Sequence, residues 1–109
     1  MPVRIIEILG YVGVLFWVVT MVRALVDDAS SAWPVLMVGV VLGGAHVVIA
    51  VGAAHGRRIV YAAMWFVLAG DSLLTVFVDI RAIALVLFTI VLLLLTRPAA
   101  ARSWFSAAP

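Results

Sequence analysis

The chain has 109 residues, of which 68% are hydrophobic and only 11% charged, with seven basic and five acidic side chains and a formal net charge of +2. A globular domain in water carries about 25% charged residues, so this composition cannot cover a water-facing surface and places the chain in lipid. There is no Cys, Lys, Asn or Gln, which excludes disulfides, thiolate metal sites, iron–sulfur clusters, covalently attached haem and Schiff-base cofactors.

A bilayer core of about 30 Å takes about 20 apolar residues in a helix, and four segments fit. The first covers residues 5–26, with Glu7 near one end and Arg23 near the other. Gly10, Gly13, Trp17, Thr20 and Ala24 recur along it at helical spacing and share one face. Its apolar run exceeds the 7–15 residues of a signal-peptide core, so it reads as a retained helix. After the polar stretch from Asp27 to Ser31, the second span covers residues 33–54 and opens on Trp33-Pro34, where proline costs no helical hydrogen bond. It carries a matching stripe of Gly39, Gly43, His46, Ala50 and Ala53, including a GxxxG pair.

The connection His55-Gly56-Arg57-Arg58 leads into the third span, residues 59–78, which holds one acid, Asp71. A turn around Asp79 to Arg81 follows, then the fourth span, residues 80–96. Between Arg81 and Thr96 at its ends that span is apolar on all sides apart from Thr89, the pattern of a helix facing lipid, and Pro98 ends it. Residues 99–109 form a short tail whose Arg102, with Arg97 just before it, and Trp104-Phe105 pair suit the membrane interface.

Connections this short make consecutive helices antiparallel neighbours. The fold class is therefore an all-α integral membrane protein, a four-transmembrane-helix up-down bundle over residues 1–98. Arg4, Arg57, Arg58, Arg97 and Arg102 fall at one end, while Arg23 and Arg81 share the other with Asp27, Asp28 and Asp79. The positive-inside rule then puts both termini in the cytoplasm. All basic residues are Arg, with no run longer than Arg57-Arg58, so the charge reports topology and not nucleic-acid binding. Arg, Ala, Val and Gly in preference to Lys and Asn suggest a GC-rich bacterial genome, hence a multi-pass protein of the bacterial plasma (inner) membrane.

Asp71 is the residue to single out, roughly 10 Å from the acidic end of its helix. An unpaired carboxylate there is costly, so it must be protonated or partnered. Thr20 falls at a similar depth, Arg23 is long enough to reach down from one turn nearer the surface, and Thr75 adjoins Asp71 on its own helix. Three roles are open: a proton- or cation-binding carboxylate, an Asp71–Arg23 pair holding helices together, or a contact with a charge on another subunit. His46 reads as a hydrogen-bonded packing histidine, too far from Asp71 for a direct bond. Glu7 reads as an ion-pair partner of Arg4, Arg57 or Arg58. No residue set has the spacing of a catalytic centre, a metal site or a cofactor site, so an enzyme is not expected.

The expected function is a small non-catalytic accessory or regulatory subunit of a larger membrane complex, respiratory or for lipid or solute transport. The faces of Gly10, Gly13 and Trp17 and of Gly39, Gly43, His46 and Ala50 would pack on each other or dock onto other integral membrane subunits, with lipid as a further partner and a homo-oligomer possible. The alternative is a homo-oligomeric small transporter or channel using Asp71. Because native Cys is absent, topology is testable directly: a single Cys at Ser31 should react with an impermeant maleimide outside intact cells, and one at Gly56 or Ser106 should not. Outside labelling at Ser106 would reverse the orientation.

Overall fold

Two aspartates make the turns at one end of the molecule. The computed structural model describes residues 2–105, and α1 (Pro2–Asp28) ends where the Asp28 carboxylate accepts the backbone N–H of Ser30 and caps a 3₁₀ turn, Ala29–Ser31. Helix α3 (Ile59–Phe77) is followed by the same device, Asp79 accepting the N–H of Arg81 over the 3₁₀ turn Ile80–Ala82. At the opposite end α2 (Trp33–His55) stops at Gly56, whose φ of 67° is the left-handed cap conformation. Helices α4 (Ile83–Leu95) and α5 (Ala99–Phe105) complete the described residues, among which there is no strand.

Three helices, α1 to α3, are long and apolar enough to cross a membrane. The fourth predicted span divides: α4 has 13 residues and α5 turns away from it by 89°. At 1.5 Å per residue α4 is roughly 20 Å long, and its preceding 3₁₀ turn adds about 6 Å, still short of a 30 Å core. The longest dimension of the molecule is 46 Å, which matches a bilayer with its headgroups. Leu15, Val40, Phe66, Val76 and Phe77 are all more than two-fifths exposed, a coat that suits lipid and not water.

Neighbouring helices run antiparallel in a register that the glycines report. A Cβ on Gly10 would lie 2.9 Å from the Ala50 backbone, one on Gly13 would strike the His46 ring, one on Gly43 would sit 3.3 Å from the Trp17 Cβ, and one on Gly39 would meet Met21. The two small-residue stripes therefore face each other along α1 and α2. Leu42 against Gly70 and Gly52 against Val60 set the register of α2 on α3, and Thr89 opposite Asp71 sets that of α4.

The packed core lies at the end bearing the termini, where Ile6, Ile49, Val60, Met64, Val67, Leu92 and Phe105 are all fully buried. On the α3–α4 register, α4 stops about two turns short of that end. Helix α5 fills the space: Phe105 is 0% exposed with its ring against Tyr61, and the Trp104 indole N–H donates to the Ala53 carbonyl at 2.6 Å. The part of the tail within the described residues thus packs on the bundle instead of only resting at the interface. Residues 106–109, including the labelling position Ser106, lie outside the described residues. Gly56 is a poor labelling position, because a Cβ there would approach the Trp104 carbonyl at 2.7 Å with φ already positive. Arg57, exposed beside it, serves instead.

Gly10→Ala should lower stability by about 1–3 kcal/mol, since the new methyl meets backbone that must shift. Gly44→Ala, whose Cβ would meet nothing within 4 Å, should be neutral or gain up to about 1 kcal/mol from helix propensity. Unfolding of the two variants in mixed micelles checks the contrast, and equal sensitivity would show that α1 and α2 do not pack through Gly10.

Candidate functional site

Helix α3 turns Asp71 inward, and the carboxylate is 1% exposed. Its Oδ2 accepts a hydrogen bond from the Thr89 hydroxyl at 3.0 Å, while its Oδ1 has no partner among the described residues. Thr89 is itself 0% exposed, and its hydroxyl also lies 3.0 Å from the Leu85 carbonyl of its own helix. The α4 face carrying Thr89 and Leu92 is buried, so α4 is not a helix with lipid on every side. Hairpin geometry could have found this contact: Asp71 and Thr89 stand nine residues before and after Ile80, the centre of the tight α3–α4 turn.

The polar residues expected around Asp71 do something else. The Thr20 hydroxyl donates to the Phe16 carbonyl at 2.7 Å and that of Thr75 to the Asp71 backbone carbonyl at 2.8 Å, each closing a bond within its own helix. Arg23 is exposed and makes no ion pair among the described residues, so the Asp71–Arg23 pair is not formed. The reason is helical phase, since Gly10, Gly13 and Trp17 take the inward face of α1 and Arg23 points off it. Glu7 lies 3.8 Å from Arg4, a loose pair between a half-buried carboxylate and an exposed guanidinium.

His46 is 4% exposed, and its Nδ1 sits 2.8 Å from the Leu42 carbonyl. A carbonyl only accepts, so Nδ1 carries the hydrogen and, in the neutral ring, Nε2 is left as an acceptor. On the α2–α3 register His46 lies five residues below the level of Asp71, roughly 7 Å along the axis, and no hydrogen bond joins them. They nevertheless line one cavity of about 260 Å³, with Gly13, Trp17, Ala84 and Phe88 among its other walls.

Above it, toward the acidic end, is a wider space of about 680 Å³ that shares Phe16, Trp17, Ala84 and Leu85 with the first. All four helices contribute to this cleft, and Asp79 and Arg81 stand at its rim. Those two charges neutralise each other across 2.7 Å. Hydrogen bonds from the Arg81 guanidinium and backbone N–H hold the Asp79 carboxyl down at about 2, so the pair keeps its charge until pH falls through that value. The walls below the rim are almost wholly apolar. The fully buried core thus lies toward the arginine end, beside a separate cleft of about 480 Å³ at Arg4, Glu7, Ala53 and Trp104, whereas the two adjoining hollows of the acidic half hold Asp71 and His46, each with one side-chain atom unspent.

Comparison with protein-family models, with curated proteins and with solved structures yields no match.

Thr89→Val keeps the shape of the side chain and removes the one hydrogen bond to the Asp71 carboxylate. It should lower stability by about 1–3 kcal/mol, the cost of an unsatisfied buried polar group, whereas Arg23→Gln should change it by no more than about 0.5 kcal/mol. The same unfolding assay checks both. A large effect of Arg23→Gln would restore Arg23 as the counter-charge.

Proposed function

We propose that the chain is a multi-pass protein of the bacterial plasma membrane, four spans in up-down order with both termini cytoplasmic, and that it binds a proton or cation at Asp71 as a small transporter loaded from the outer side. The observation that carries this reading is the buried, unpartnered Oδ1 of Asp71, a residue that lines a cavity adjoining the acidic-end cleft. A carboxylate in a membrane interior with half its hydrogen-bonding capacity unused is held at a cost, and such groups mark ion and substrate paths.

The orientation rests on the five arginines at the end bearing the termini. Lacking the roughly 30 Å length of a full span, α4 crosses by local thinning of the bilayer, with α5 lying along the inner interface. The sequence holds no nucleophile elbow, metal-ligand motif or paired carboxylates, so the activity proposed is binding and passage without catalysis. One copy of the chain supplies every wall of the site. The small-residue faces of α1 and α2 lie against each other, which supports the reading centred on Asp71 over docking through those faces.

Proteoliposomes containing this protein alone should show a pH-dependent cation or proton flux that Asp71→Asn abolishes while leaving the protein monodisperse and helical. Absence of any flux, together with a larger membrane protein co-purifying from native membranes in mild detergent, would return the accessory-subunit reading.

A further inference from the structure

The cavity between Asp71 and His46 also limits what can occupy it. Its walls are almost wholly apolar, and the side-chain atoms that its Asp71 and His46 leave unspent are acceptors. The Asp71 Oδ1 is free, the Nε2 of neutral His46 is an acceptor without a partner, and the hydroxyl hydrogens of Thr89 and Thr20 are already given to oxygens of this chain. The indole N–H of Trp17 is the one donor left unspent on these walls. Arg81, the nearest cation in the rim, is spent on Asp79. A site of this kind repels anions and offers little to neutral acceptors such as a quinone carbonyl; it suits a positively charged hydrogen donor.

An inorganic cation fits poorly. Stripped of water, a hard metal ion needs about six to eight oxygens, and no group of three or more His, Cys, Asp or Glu side chains able to hold a metal occurs among the described residues. The walls instead favour carbon, Phe16, Trp17 and Phe88 lining the same cavity as the acid, and aromatic faces attract organic cations. Small-molecule sites span about 300–1,000 Å³, the range of the cleft of about 680 Å³ that leads to the acid.

We infer that the ligand is an amphipathic ammonium, a primary or secondary amine cation on an apolar body, its N–H groups directed at Asp71 Oδ1 and its body held between Trp17, Phe16 and Phe88. This deepens the proposed function and rests on Asp71 being its binding carboxylate.

The test is binding to the purified full chain in lipid nanodiscs, measured by calorimetry with 2-phenylethylammonium and with its N,N,N-trimethyl derivative, which keeps the charge and body and loses every N–H. The primary amine should bind at least tenfold more tightly than the trimethyl compound. Asp71→Asn should remove at least tenfold of that affinity. Ala84→Phe, which fills the cleft and leaves the acid untouched, should do the same, so the inference stays testable if the Asn variant misfolds. Equal binding of the two probes would overturn the donor requirement. Asp71-dependent proton or sodium binding with neither amine bound would overturn the ligand class and leave the proposed function standing. No Asp71-dependent binding of proton, sodium or amine would end both.

Discussion

Helices in lipid gain little from burying apolar surface against one another, so close approach of backbones decides which of them pair. The contact on which this molecule depends is that of α1 with α2. Gly10 brings α1 against the Ala50 backbone, Gly13 makes room for the His46 ring, and Gly43 accepts Trp17. Because α1 lies along α2 throughout, it meets α4 far less. The space left over on that side, bounded by Trp17 and Phe16 from α1 and by Ala84, Leu85 and Phe88 from α4, is where the inner cavity lies. One close contact thus sets the pairing order and the position of the void, and fixes His46 at its floor.

The two ends of the bundle are built differently. Toward the termini, large buried side chains from α1 to α4 interlock, and α5 supplies Phe105 where α4 ends early. Toward the acidic turns, the residues facing inward leave the centre unfilled. A fold under no demand but stability would fill such a void, since each missing contact lowers packing energy. It would also avoid placing an acid with a free oxygen at its foot. Both departures occur at one place, and violations of local rules concentrate at functional sites. Thr89 makes the acid tolerable without quenching it, because one hydrogen bond orients the carboxylate and leaves Oδ1 available.

Much of the fold was legible in the sequence where residue size or backbone geometry carries the signal. The α1 and α2 stripes could be read from spacing alone, because only small residues at that period permit close contact. Helix ends could be read from Pro34, Gly56 and Asp79, each of which has a conformational reason to stand where it does. The inward turn of Thr89 was missed because a single hydroxyl in a Leu-rich helix looks incidental until the hairpin register is worked out from the turn. The docking of α5 was missed for a different reason: Ala-rich sequence with one Trp-Phe pair has no periodicity to show which side it presents, and the early stop of α4 becomes apparent only from three-dimensional register. For Asp71 the sequence marked an acid that the fold buries, and of the three roles left open for it the pair with Arg23 is not formed among the described residues. Distance along a helix suggested Arg23, whereas helical phase turns that arginine away.

The central claim is that water and solutes reach the Asp71 cavity from the acidic end and not through the buried core on its other side. Accessibility of single cysteines to a membrane-impermeant thiol reagent, applied outside intact cells, tests it most directly. Cys at Ala84, a wall shared by both cavities, should be modified, whereas Cys at Ala63, within the packed core, should stay unreactive until the protein is denatured. Protection at Ala84 equal to that at Ala63, with Arg57→Cys reactive from outside, would contradict both the open cleft and the orientation on which the account rests.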